Sequence, residues 1–128
     1  MKKVGVAILG LGVVGGGVYE ILTGKKEYIR KTQGLDITVE SVLEKNKERA
    51  QALGVKSAVM ANSIEEVISN PNVDIVVEVI GGTEPARTFV LKALMSGKTV
   101  VTSNKELFAK YWTELEEEAK KMNAGLFF

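Results

Sequence analysis

The run Gly10-Leu11-Gly12-Val13-Val14-Gly15 has the residue types and spacing to hold a pyrophosphate. Gly10 suits a sharp turn. Gly12 places no Cβ between the backbone and an approaching phosphate. Gly15 lets the following helix lie close against the preceding strand. A helix opening here presents unpaired N–H groups and the positive end of its dipole to an anion. Three spaced glycines alone are a weak signal. Their setting strengthens it, because the apolar run Lys3–Leu9 precedes them and a helical pattern follows, within one βαβ-sized unit. The alternative is a glycine-rich turn kept only for packing. No glycine stands at Walker spacing before a Gly-Lys-Ser/Thr, which argues against a nucleoside-triphosphate loop. Gly16 and Gly17 receive no ligand role.

Three other regions carry residues that could do chemistry. Glu44 follows the second apolar strand pattern, where a carboxylate suits a ribose 2′-hydroxyl. Lys45, Lys47 and Arg49 come next and could neutralise a 2′-phosphate. For Lys47 and Arg49, a solvated helix start is the better reading. NAD and NADP therefore both stay open as cofactors. Lys105 falls in the first turn of a helical pattern, where the helix dipole disfavours a cation and eases proton release. Its alternative is a surface lysine on an amphipathic helix. Glu78 sits inside an apolar strand pattern, and an unpaired buried carboxylate is costly. It is either hydrogen-bonded structurally or turned to the cofactor crevice.

These residues need a scaffold that brings strand ends together. The pattern alternates short β-type runs with helical ones, which predicts an α/β fold: a Rossmann-type three-layer sandwich on a mostly parallel sheet. Strands are expected at Lys3–Leu9, Ile37–Leu43, Ala58–Ala61 (weak), Val73–Ile80 and Lys98–Thr102. Helices are expected from Val14 to about Leu22, over Asn46–Leu53 closed by Gly54, after Ser63, after Pro85 and after Ser103. Ser63 with Glu66, and Ser103 with Glu106, read as capping boxes. Leu107, Phe108, Tyr111, Trp112, Leu115, Ala119 and Met122 form one apolar face. The charged segment Thr23–Gly34 either extends the first helix or loops out.

Composition narrows the function classes. The 128 residues suit one domain, 1–128, with a single core. With 17 basic against 16 acidic residues, a strongly basic nucleic-acid surface is disfavoured. No apolar run reaches the ~18 residues of a membrane span. The opening Met1–Leu9 is too short for a signal peptide and runs into glycines. A cytoplasmic location fits. With no cysteine and no histidine, thiolate chemistry, histidine acid–base catalysis and most zinc sites are excluded, and no metal site is expected. The chain stops at Gly125-Leu126-Phe127-Phe128, at what reads as the start of a sixth strand. The expectation is a fragment or excised domain, the alternative a small protein with an edge strand there.

Three segments carry a more specific likeness: ILGLGVVGGGV (8–18), VDIVVEVIGGTEPA (73–86) and VVTSNKELFAKY (100–111). With them the chain resembles homoserine dehydrogenase, in its N-terminal nucleotide-binding domain. The resemblance covers essentially the whole chain, and the second and third segments discriminate best. It implies an oxidoreductase that interconverts homoserine and aspartate semialdehyde with NAD(P)H, in threonine and methionine biosynthesis. It implies that Gly81-Gly82-Thr83-Glu84-Pro85 lies beside the nicotinamide. It also implies that Lys105, in Thr102-Ser103-Asn104-Lys105, stands where cofactor and substrate meet. Ser103, Asn104, Glu44 and Lys45 are then cofactor contacts. The family's substrate-binding and dimerisation domain, with an essential aspartate–lysine pair, is expected beyond residue 128. The full enzyme is expected to be a homo-oligomer, and this chain to bind cofactor without turnover. Glu44-Lys45 stands where the family usually has an Asp or Arg-Asp. Competing readings are an S-adenosylmethionine-binding domain, a stand-alone regulatory module, and an aspartate or aspartate-semialdehyde dehydrogenase.

Overall fold

The computed structural model describes residues 1–128. Six strands form one sheet in the order β3-β2-β1-β4-β5-β6. They are β1 (Lys2–Leu9), β2 (Leu35–Leu43), β3 (Met60–Ala61), β4 (Ile75–Glu78), β5 (Thr99–Thr102) and β6 (Leu126–Phe127). Every pairing is parallel. The order reverses between β1 and β4, and open α/β sheets bind ligands in the crevice at such a switch point.

Alternation along β1 builds both faces of the sheet. Ala7 and Leu9 join a core with residues of α4 (Ile64–Ser69), α5 (Ala86–Met95) and α6 (Lys105–Lys121). Val6 and Ile8 join a second core, packed by Val18, Tyr19 and Leu22 of α1 (Val13–Gly24) and by Ala50 of α3 (Lys47–Ala52). The expected three layers are therefore present, on a sheet that is wholly parallel.

Four local expectations change. The charged segment is helical: α1 runs on to Gly24, and α2 occupies Lys26–Gln33 before left-handed Gly34 ends it. Lys26 fixes α2 to the sheet by donating to the Ile37 carbonyl at 2.6 Å. β4 covers only Ile75–Glu78: Val73 and Asp74 precede the paired strand, and beyond Glu78 the Val79 amide still donates to the Leu9 carbonyl at 3.0 Å before the chain turns along the crevice. Ala58 lies in a 3₁₀ turn (Ser57–Val59), which shortens β3 to two residues. Asn104, not Ser103, caps α6, its side chain accepting from the Leu107 amide at 3.1 Å. The Ser63 cap of α4 holds as expected, accepting from the Glu66 amide.

The polar residues of β2 also have a reason. The β1–β2 register steps from Val6–Val39 to Ala7–Ser41, which leaves Glu40 unpaired at a bulge. One extra residue changes which face each side chain meets. Ser41 is buried and Glu40 half-buried as a result.

Candidate functional site

The carboxyl ends of β1, β2, β4 and β5 converge above the switch point. β1 ends at Leu9, whose register partners are Leu43 of β2 and Glu78 of β4, and Glu78 is paired in turn with Thr102 of β5. The glycine turn, Glu44, the Ile80–Gly82 loop and the start of α6 thus spring from one row across the sheet.

The glycine turn has the geometry its sequence implies. Gly10 has φ of 96°, in the region that favours glycine. A Cβ on Gly15 would lie 1.9 Å from the Gly10 carbonyl oxygen, so only glycine lets α1 pack this closely on the turn. A Cβ on Gly12 would meet nothing within 4 Å, so the space in front of it is open. The amides of Gly12, Val13, Val14 and Gly15 donate to no backbone carbonyl, as expected of a helix start. This set of free donors before an open space fits a pyrophosphate. Val13 and Val14 are exposed at the same mouth.

Leu11 departs from its expected part. Its side chain is fully buried, and its amide donates to Glu44 Oε1 at 2.6 Å. It shapes the turn and presents no group to a phosphate. Glu44 also accepts from the Asn46 amide, through Oε2 at 2.9 Å. Both carboxylate oxygens thus hold backbone, though each keeps a further lone pair for a ribose hydroxyl.

Arg49 differs most from the sequence reading, which left it solvated. It is half-buried, and it donates from Nε to the Leu11 carbonyl at 2.8 Å and from Nη2 to the Gly12 carbonyl at 3.4 Å. The turn is clamped from α3 as well as from the end of β2. Lys47 remains exposed, as expected.

Two clefts flank the turn. One, of about 460 Å³, is lined by Gly10, Gly12, Glu44 and Lys45, together with Asn62, Ser63, Ile64 and Phe89, which sequence reasoning did not assign, and Pro85, which the resemblance puts beside the nicotinamide but which lines this cleft and not the one with Lys105. Only the rule that ligands sit at strand carboxyl ends could have pointed to the loop after β3. The other, of about 340 Å³, brings Val14, Gly81 and Gly82 together with Ser103, Asn104 and Lys105. Lys105 is exposed there. Gly81 and Gly82 have φ of 87° and 72°, a loop that bulky residues would strain. Thr83 lines neither cleft; its carbonyl accepts from the Arg87 amide at 2.8 Å and starts α5. Beside it, the Thr88 hydroxyl and amide, with Arg87, hold the Glu84 carboxyl below its ordinary 4.5.

Glu78 is fully buried, and hydrogen bonds settle how. Oε1 accepts from the Thr102 hydroxyl at 2.6 Å, and Oε2 from the Ile80 amide at 2.9 Å, with Asn104 Nδ2 at 3.5 Å. It is paired structurally and lies directly beneath the second cleft's walls.

A sequence model of the homoserine dehydrogenase NAD binding domain matches residues 10–128. The homoserine dehydrogenase of Bacillus subtilis is 38% identical over 128 residues, which is 100% of this chain and 30% of that protein. A homoserine dehydrogenase crystal structure from Thiobacillus denitrificans superposes with a TM-score of 0.89 at 40% identity, over 100% of this chain and 30% of that one. A hyperthermophilic archaeal homoserine dehydrogenase in complex with NADPH gives 0.78 at 31% identity, over 98% of this chain and 43% of that one. The chain thus spans about a third of the length of its relatives. With the glycine turn, the wholly parallel sheet and the two clefts at its switch point, this chain belongs to the homoserine dehydrogenase family and corresponds to its NAD binding domain.

Proposed function

We propose that residues 1–128 form the cofactor-binding domain of a cytoplasmic, homo-oligomeric homoserine dehydrogenase that interconverts homoserine and aspartate semialdehyde. The observation that carries this reading is the row of free amides at Gly12–Gly15 between two clefts, one reaching Glu44 and Lys45, the other reaching Lys105. When bound, NAD or NADP supplies the hydride acceptor or donor.

The chain's own residues then divide the work. The amides of Gly12, Val13 and Val14 hold the pyrophosphate at the positive end of α1. Glu44 and Lys45 face the adenosine ribose, the carboxylate favouring NAD and the lysine NADP. Gly81, Gly82, Ser103 and Asn104 wall the nicotinamide side. Lys105 Nζ holds a proton toward the substrate's carbonyl oxygen. Glu106 lines the same cleft as Lys105. The chain spans 30% of the length of its Bacillus subtilis relative, and the reading assigns substrate turnover to the rest of such a protein.

Calorimetric titration with NADH, NADPH and S-adenosylmethionine tests the proposal, together with an assay of homoserine oxidation. The chain is expected to bind one or both nicotinamide cofactors, to ignore S-adenosylmethionine and to oxidise no homoserine. Binding of S-adenosylmethionine alone would overturn the proposal. Oxidation of homoserine by the chain would overturn the division of labour.

A further inference from the structure

The buried Glu78 is flanked in the sheet by Leu9, which leads into the glycine turn, and by Thr102, which leads into Lys105. Three donors face its carboxylate: the Thr102 hydroxyl, the Ile80 amide and Asn104 Nδ2. No acceptor does. The Thr102 hydroxyl has one proton, and its oxygen already accepts from the Asn104 amide at 3.1 Å, so the proton is committed to Glu78. Asn104 Nδ2 also donates to the Gly82 carbonyl at 2.6 Å, while its Oδ1 caps α6. One chain of bonds therefore runs from the Ile80–Gly82 loop through Glu78 and Thr102 to the residue before Lys105. A side chain with two acceptor ends and no donor is what these neighbours require, and glutamine of the same shape would set an NH₂ group against donors.

We propose that Glu78 is a positioning residue: acting through Thr102 and Asn104, it holds the Gly81-Gly82 turn and the Lys105 turn at a fixed separation, and so sets the width of the cleft that takes the nicotinamide. This rests on the proposed placing of the nicotinamide beside Lys105. Pyrophosphate and adenosine groups meet the other side of the glycine turn, which Glu44 and Arg49 clamp independently. Ile80, whose amide Glu78 holds, lines both clefts, whereas Thr102 and Asn104 reach only the Lys105 side. Loss of the Thr102 and Asn104 links therefore weakens the nicotinamide half of the cofactor site more than the other.

The test compares whole cofactors with their nicotinamide-free fragments on the 128-residue chain. NADH and NADPH are titrated by dihydronicotinamide fluorescence, and ADP-ribose and 2′-phospho-ADP-ribose by calorimetry. The variants are Glu78→Gln, Thr102→Val and Thr102→Ser. Removing the hydroxyl in Thr102→Val is expected to weaken the whole cofactor about tenfold, the size of one hydrogen bond to a charged group, and the fragment by less than about twofold. Thr102→Ser keeps the hydroxyl and restores binding. Glu78→Gln behaves like Thr102→Val if it folds; if it does not, the threonine pair decides. Equal weakening of cofactor and fragment would reduce Glu78 to general stability and overturn the proposal, as would an unchanged ratio in Thr102→Val. The underlying placement fails separately, and takes the proposal with it, if the unaltered chain binds cofactor with no change in nicotinamide emission.

Discussion

Two carboxylates at strand ends do the same job in different surroundings. Glu44, after β2, accepts the Leu11 and Asn46 amides, and Glu78, ending β4, accepts the Ile80 amide and the Thr102 hydroxyl. Glu44 is half-buried, beside exposed Lys45 and Lys47. Glu78, Thr102 and Asn104 are buried at 0%, 2% and 5% exposure. Water can replace a lost bond on the β2 side. On the β4–β5 side it cannot, and an orphaned buried donor keeps its full desolvation penalty. The difference makes the β4–β5 wall rigid and the β2 wall adjustable and charged, which under the proposed function are the nicotinamide side and the adenosine side.

Gly15→Val should have the largest effect, because its Cβ would lie 1.9 Å from the Gly10 carbonyl oxygen, in the turn between the two walls. The expected loss is about 3 kcal/mol in urea denaturation, with cofactor binding abolished. Glu78→Gln comes next, at about 2 kcal/mol by the same measurement, because it turns a donor on buried donors. Glu44→Gln should cost less stability, about 1 kcal/mol, yet weaken NADH or NADPH about tenfold by setting an NH₂ group against the Leu11 or the Asn46 amide. Equal stability losses at the two carboxylates would erase the contrast between the walls.

Acid should act elsewhere. The Lys26 ammonium, 2.9 Å from Asp36, holds its carboxyl below its ordinary 3.8, and Lys92, by its hydrogen bond, does the same for Glu65 below 4.5. A carboxyl lowered in the folded state adds stability that is present above its ordinary value and lost as pH falls through the folded one. Asp36→Asn should therefore lower the melting temperature at pH 7 by no more than about 4 °C. The difference should close as pH drops below 3.8. A difference that persists in acid would mean that the pair acts through packing.

How much of this was legible in the sequence follows from how local each signal is. The glycine turn was readable because strand, turn and helix are contiguous, and the clefts confirm that Gly81, Gly82 and Lys105 approach it. Arg49 was not readable, because its partner Leu11 lies 38 residues away and nothing near Arg49 marks it. The expected β4 runs too far at both ends because Val73, Val79 and Ile80 are apolar, and hydropathy does not register where the paired strand begins and ends. The cap of α6 was misplaced by one residue because Ser103 matches the motif. Asn104 wins since Gly82 and Glu78 hold its amide from behind. α2 was ambiguous because a single half-buried isoleucine, Ile29, and the Lys26 bond to β2 anchor an otherwise polar helix.

The central claim is that one dinucleotide lies across both walls, with its pyrophosphate on the glycine turn. Amide chemical-shift mapping of the ¹⁵N-labelled chain during NADPH and NADH titration tests it most directly. The account predicts saturable shifts at Gly12–Gly15, at Glu44 and Lys45, and at Gly81, Gly82 and Lys105 together. Shifts confined to one wall, or none at saturating cofactor, would contradict it.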